Sequence, residues 1–416
     1  MTEPNKASLP SPAQANRALW LSTGAFTICF AVWTIFAIIG IRIKQELGLN
    51  ESEFGLLIGT PILTGSIVRV ALGIWTSRYG GRLVYTLTML LAAIATFLLS
   101  YAHTYEQMLL AGLGVGLAGG SFAVGVAYVS PFFPAQKQGT ALGIFGAGNI
   151  GAAVTKFLAP FVLIAWGWQA VAQIWALGLV LTALVFWFTT SDDPAFLARK
   201  NNPQATKSLA EEFAPLKNLQ VWRFSLYYFF AFGGFVALSL WLPRYLVGAY
   251  GFELGTAGMI AAAYSIPGSI FRAYGGVLSD RKGARSVMYA VLVVSAIATL
   301  ILSLPASSVI SPLAFIVVIF VLGFFMSLGK AAVYKHIPAY YPDNVGSVGG
   351  IVGMMGGLGG FVLPICFGML KDATGMWSSC FLLLFAIVAV ALVWMHFSIR
   401  HLQHSQSATL ATSAAS

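Results

Sequence analysis

Twelve apolar runs, each long enough to cross a lipid bilayer, constrain this 416-residue chain more than any other feature. They fall near 19–41, 54–77, 83–101, 107–131, 139–163, 168–188, 222–245, 254–279, 285–304, 311–335, 345–370 and 375–399. Inside a bilayer no water satisfies the backbone, so runs of this length are expected to be helices. Composition agrees, because only 9% of residues are charged and 58% are hydrophobic, whereas a soluble chain carries about 25% charged residues. The expected fold class is an all-α integral membrane protein with twelve transmembrane helices.

The helices form two sets of six. "GSIVRVALGIWTSRYGGR" holds Arg69 in an apolar run, and "GSIFRAYGGVLSDRKGAR" holds Arg272 in the same place 203 residues later. Forward from each arginine come a glycine at +4 (Gly73, Gly276), an arginine at +9 (Arg78, Arg281), a glycine at +11 (Gly80, Gly283) and an arginine at +13 (Arg82, Arg285); fourteen residues back stand Gly55 and Gly258. A period this long indicates duplicated halves rather than a solenoid. The expected organisation is an N-terminal segment 1–18, a six-helix half 19–188, a linker 189–221, a second half 222–399 and a tail 400–416 that reads as disordered. The first residues lack the basic start and short apolar core of a cleaved signal peptide, so the first helix is expected to stay attached.

The net charge of +10 does not indicate a nucleic-acid partner. On a twelve-helix topology fifteen of the 23 Lys and Arg lie in the termini and the loops of one side, and four, Arg42, Lys44, Arg244 and Lys371, on the other. The positive-inside rule then puts both termini and the linker in the cytoplasm. Cys29, Cys366 and Cys380 have no metal-ligand spacing and read as packing residues, and no cofactor is expected.

Four cations remain inside the spans: Arg69, Lys156, Arg272 and Lys330. All thirteen Asp and Glu fall in loops, termini or helix ends, so none is placed to neutralise them. Arginine keeps its proton under ordinary conditions. A charge at membrane depth is costly and marks a functional site by default. Snorkelling to the interface is the alternative, but each arginine is nine residues, about 13 Å of helix, from Arg78 or Arg281. The two are therefore expected to face each other across the interface of the halves and to hold a mobile anion. Lys156, in "AAVTKFLAP", could snorkel or line the site. Aligning Pro134 with Pro342 sets Lys330 opposite Phe122, both looking into a central cavity.

At these residues the sequence resembles the nitrate/nitrite porters of the major facilitator superfamily, the NarK-type transporters. "GIWTSRYGGR" and "GVLSDRKGAR" resemble the superfamily's G-x-x-x-D-R-x-G-R loop, with Asp280 and Arg281 matching its gating charges and Ser77 replacing the Asp of the first copy. "GTALGIFGAGNIGAA" (139–153) and "GSVGGIVGMMGGLGGF" (346–361) resemble the two nitrate-porter signatures. The resemblance covers about 20–400 and implies the superfamily fold, nitrate and nitrite as substrates and a functional monomer in the lipid bilayer. It implies that Arg69 and Arg272 clamp the anion, with Phe30, Phe122, Tyr228 and Phe232 as aromatic walls and Asn149 as a polar contact. A planar monoanion suits such a pocket, because it sheds water readily and accepts in-plane guanidinium hydrogen bonds. The glycine faces through Gly143, Gly146 and Gly151 and through Gly353 and Gly356 allow close helix approach, and are expected to shift as well during alternating access.

Lys330 departs from the family pattern, which has a small polar residue at that position. Two permanent cations without a carboxylate make return of an empty carrier costly, which favours nitrate/nitrite exchange. A desolvated lysine can release a proton, so Lys330, together with Lys156, is expected to couple protons to nitrate import. An exchanger of small carboxylates, of the oxalate/formate type, is the other substrate class, and a channel or a membrane enzyme fits less well. "GVGLAG" (114–119) matches G-x-G-x-x-G but follows no strand, and no catalytic constellation stands out, so an enzyme is not expected.

Overall fold

The computed structural model describes residues 11–201, 214–306, 308–340 and 345–415. Its helices are α1 (Pro12–Trp33), α2 (Phe36–Leu47), α3 (Glu51–Tyr79), α4 (Gly81–Leu99), α5 (Tyr105–Val115), α6 (Leu117–Val129), α7 (Ala135–Gly146) and α8 (Gly151–Thr189) in the first half. A short α9 (Pro194–Asn201) opens the linker. The second half holds α10 (Leu219–Tyr228), α11 (Phe235–Tyr250), α12 (Leu254–Ile270), α13 (Arg272–Lys282), α14 (Ala284–Leu302), α15 (Pro312–Tyr340), α16 (Val345–Thr374) and α17 (Ser379–Ala415).

Joined end to end, these give eleven continuous apolar segments long enough to cross a membrane among the described residues. One of them, Thr140–Thr189, has 50 residues. At 1.5 Å per residue it would be about 75 Å long, more than twice a bilayer core, so it contains two spans. Gly167, with φ 85°, supplies the break, since that conformation is cheap only for glycine. The count returns to twelve.

The repeat is visible in the backbone. Gly80 (φ 87°) and Gly283 (φ 81°) end the arginine-bearing helices with the same positive-φ backbone. Gly55 and Gly258 make matching close approaches to the other half: an added Cβ would come 2.3 Å from the Pro364 carbonyl in one case and 2.4 Å from the Lys156 carbonyl in the other. The two halves thus meet along α3 against α16 and along α12 against α8.

Five spans lose regular α geometry part-way along: at Thr34 and Ile35, at Gly116, in a 3₁₀ turn over Ala147–Ile150, in a π-helical stretch over Phe229–Gly234 and at Phe271. Such interruptions often accompany functional sites. Here they adjoin or contain Trp33, Asn149, Phe232 and Arg272.

The chain differs from expectation at its end, where α17 continues to Ala415. Residues 401–415 hold no glycine or proline to stop a helix, and eight of the fifteen are Ala, Leu or Gln, which favour continuing it.

On the side away from the termini, the halves are tied together. Glu51 of α3 pairs with Arg244 of α11 at 2.5 Å and with Lys44 of its own half at 3.6 Å. Asp372 of α16 accepts from the backbone N–H groups of Glu51 (3.3 Å) and Ser52 (2.8 Å), capping the start of α3, where the helix dipole favours an anion. Among the described residues no ion pair joins the halves on the terminal side. There Asp280 pairs with Lys335 of the same half, and both are largely exposed.

Candidate anion-binding site

Arg69 lies in the middle of α3, almost wholly buried, and reaches across to the other half. Its Nη1 donates to the Gly353 carbonyl of α16 at 3.0 Å and its Nε to the Gly119 carbonyl at 3.4 Å. Three rings surround the guanidinium: Phe232 at 5.3 Å, Trp33 at 5.4 Å and Phe122 at 5.5 Å. Arg272, equally buried, begins α13 just after the break at Phe271 and lies 5.4 Å from the Phe122 ring and 5.6 Å from Tyr334. One phenylalanine ring therefore lies within about 5.5 Å of two permanent cations from opposite halves.

The glycine-rich helices make these crossings possible. A Cβ at Gly146 would come within 3.0–3.1 Å of three Arg272 side-chain atoms, and one at Gly357 would lie 3.5 Å from Arg69 Nη1. Each arginine is thus received by the glycine-rich helix of the other half.

Several buried polar atoms have no protein partner: Arg69 Nη2, Arg272 Nη1 and both side-chain atoms of Asn149. Leaving such atoms unsatisfied is costly, so a group that pairs with them is stabilised. The arginines offer guanidinium donors, and Asn149, three residues after the Gly146 that packs against Arg272, offers an amide with a donor and an acceptor. No Asp or Glu forms an ion pair with either arginine among the described residues. The arrangement suits a small anion with several acceptor oxygens.

The other expected residues divide. Tyr228 stacks on Phe232 at 5.1 Å with planes 9° apart, forming a wall on the second half. Phe30 makes edge contacts to Phe26 (5.6 Å) and Trp33 (5.3 Å), so it backs the site. Lys330, fully buried, donates to the Gly268 carbonyl and sits 3.6 Å from the Phe235 ring centroid. It is one helical turn from Arg272's backbone, as Gly268 precedes Arg272 by four residues. Lys156 does not snorkel: fully buried, its ammonium donates to Ser265 Oγ of the other half at 2.7 Å. Pro342, used to align Lys330 with Phe122, lies outside the described residues.

Trp33 and Tyr334 were not singled out from the sequence. Trp33 Nε1 donates to the Pro61 carbonyl at 2.8 Å, fixing the ring under Arg69. Tyr334 donates to the Gly349 carbonyl at 3.1 Å and meets Tyr228 edge-on at 5.0 Å. Helical spacing held the signal, since Trp33 follows Phe30 by three positions and Tyr334 follows Lys330 by four.

Two pseudo-symmetric halves meeting at a buried site define a class, and the sequence pattern of the Major Facilitator Superfamily matches residues 21–260 and 245–414. A bacterial homolog of the human lysosomal transporter Spinster, solved inward-facing and unoccupied, superposes with a TM-score of 0.73 at 17% identity, over 94% of this chain and 98% of its own. Relatives narrow the class further. A Thermus thermophilus protein named "Probable nitrate/nitrite antiporter NarK1" is 40% identical over 94% of this chain and 93% of its own length. A Staphylococcus epidermidis "Probable nitrate transporter NarT" is 31% identical over 91% and 95%, and the Bacillus subtilis (strain 168) "Nitrite extrusion protein" 29% over 91% and 93%. The chain belongs to the NarK-type transporters of the major facilitator superfamily.

Proposed function

We propose that this protein carries nitrate, with nitrite as a second substrate, across the bacterial cytoplasmic membrane by alternating access, its termini in the cytoplasm. The observation that carries the reading is the pair of buried guanidiniums from opposite halves, sharing Phe122 and having no carboxylate partner. A planar monoanion of delocalised charge can lie against the rings and accept from Arg69 Nη2 and Arg272 Nη1. Asn149 then offers the amide donor. Binding between the halves lets the anion favour their closure, which is what alternating access requires.

Import is coupled to protons through Lys330. Its ammonium is held by a backbone carbonyl and a ring, neither of which is a fixed negative charge, so the proton is not locked in place by an acid. The arginines supply the permanent attraction, and the lysine supplies a site near them that can change charge. The second reading is nitrate/nitrite exchange, favoured by the two permanent cations, which make an unliganded return costly.

Nitrate uptake into proteoliposomes carrying either an inward proton gradient or internal nitrite, each alone, separates these readings. Uptake driven by the proton gradient alone is the expected result, and uptake only with internal nitrite would establish exchange. Strong competition by formate or oxalate would move the substrate class to small carboxylates.

A further inference from the structure

Lys156 is the buried cation that anion binding at the arginine pair does not use. It lies on α8 of the first half and donates to Ser265 Oγ of α12 at 2.7 Å and to the Ala152 carbonyl of its own helix at 3.1 Å. Ser265 Oγ in turn lies 3.3 Å from Ser239 Oγ of α11. Among the described residues no carboxylate reaches this group, so an ammonium and two hydroxyls from opposite halves meet without a negative charge.

The cluster is aligned with the arginine pocket. Ser265, Gly268 and Arg272 stand at intervals of three and four residues, which puts them along one face of the α12–α13 line. Lys156 contacts the first, Lys330 the second, and Arg272 is the third. From Ser265 to Arg272 is seven residues, about 10 Å of helix rise. The row leads from the arginines toward the end of the molecule that Glu51, Arg244 and Asp372 hold shut.

We infer that the Lys156 ammonium is a second anion-binding station, which receives the incoming monoanion before the arginine pair does. Opening on that side parts α8 from α12 and breaks the Lys156–Ser265 bond. The freed lysine ammonium then lines the approach, with no acid among the described residues to neutralise it. Lys330 is the next cation along the row and Arg272 the last. The inference deepens the anion-transport reading and rests on it.

A lysine that merely ties the halves together would be a different device, and two substitutions separate the roles. Lys156→Gln keeps a donor for Ser265 and removes the charge. Ser265→Ala keeps the charge and removes the bond between halves. Initial nitrate uptake is measured in right-side-out and inverted membrane vesicles, with wild-type protein as the reference. For Lys156→Gln we expect the KM for nitrate offered from the face opposite the termini to rise about tenfold, the cost of one charge-assisted hydrogen bond. The KM from the terminal face stays at the wild-type value, Lys156→Arg restores the loss, and Ser265→Ala leaves KM close to wild type. A Lys156→Gln protein with unchanged KM on both faces overturns the inference, as does a Ser265→Ala protein that reproduces the Lys156→Gln defect. Wild-type vesicles that take up no nitrate would instead refute the transport reading itself.

Discussion

Arg272→Lys keeps the positive charge and removes the planar fork, so it isolates geometry from attraction. Arg272 Nη1 is buried without a protein partner, and Gly146 packs against the guanidinium. An ammonium in that slot is a point charge and cannot present two parallel N–H groups to a planar anion. If the change costs one charge-assisted hydrogen bond, about 1.5–3 kcal/mol is lost, or roughly 10- to 150-fold in transport kcat/KM. Arg69→Lys should fall further, because Arg69 Nη1 also bonds the Gly353 carbonyl across the interface. The assay is initial nitrate uptake into proteoliposomes at matched protein content, with folding checked by thermal unfolding in detergent. An Arg272→Lys carrier that folds normally and transports nitrate at close to the wild-type kcat/KM would refute fork-specific recognition at this arginine.

The same preparation supports further tests. Lys330→Met should retain nitrate counterflow but lose uphill uptake driven by a pH gradient, and retained pH-driven accumulation would remove Lys330 from coupling. Glu51→Gln, which breaks the pairs to Arg244 and Lys44, should favour opening on that side, seen as faster maleimide labelling of a cysteine placed at position 265. Trp33→Phe keeps a ring under Arg69 and loses the bond to Pro61, so a stability loss of about 0.5–1.5 kcal/mol is expected in thermal unfolding, with KM raised as the ring becomes free to tilt. Gly146→Ala should displace the Arg272 guanidinium by a few tenths of an ångström and raise the nitrate KM without preventing folding, since the atoms it meets belong to a flexible side chain.

Much of the architecture was legible because the bilayer makes hydropathy nearly sufficient: twelve runs gave twelve spans, and the arginine–glycine spacing exposed the duplication. The break at Gly167 lies in the short gap between two of those runs. The irregular turns at Asn149, Phe232 and Arg272 were not legible, since a π stretch or a broken helix keeps the same apolar pattern as a regular one. Arg69 and Arg272 could be read because a charge without an acid is conspicuous in an apolar run. Trp33 and Tyr334 could not, because an aromatic residue at helical spacing looks like packing until the guanidinium over it is located. The lysine partners were hidden for a related reason: Ser265 and the Gly268 carbonyl carry no charge to mark them. The helix through Ala415 was missed because low hydrophobicity was read as disorder, whereas the segment also lacks any residue that terminates a helix.

The glycine faces raised two readings, tight packing and sliding, and the contacts divide the glycines between them. Only a glycine directed at the opposite half can serve a sliding interface. Gly143 faces Ala273, Gly146 faces Arg272 and Gly357 faces Ser66, all across the interface, while Gly360 sits between Val236 of its own half and Ile62 of the other. Gly151 instead lies against the Thr27 carbonyl, where a Cβ would come to 2.0 Å, and Gly356 lies against the Tyr228 ring at 2.2 Å, both within one half. Backbone cannot yield as a side-chain end can, so Gly151 belongs to the rigid interior of its half. Gly353 takes both parts: its Cβ position faces Tyr334 of its own half, while its carbonyl accepts from Arg69 of the other. That carbonyl makes the glycine-rich helix part of the site, because movement of α16 must alter the support of an arginine proposed to hold the anion. Motion between halves and grip on the anion are then linked through the same few atoms.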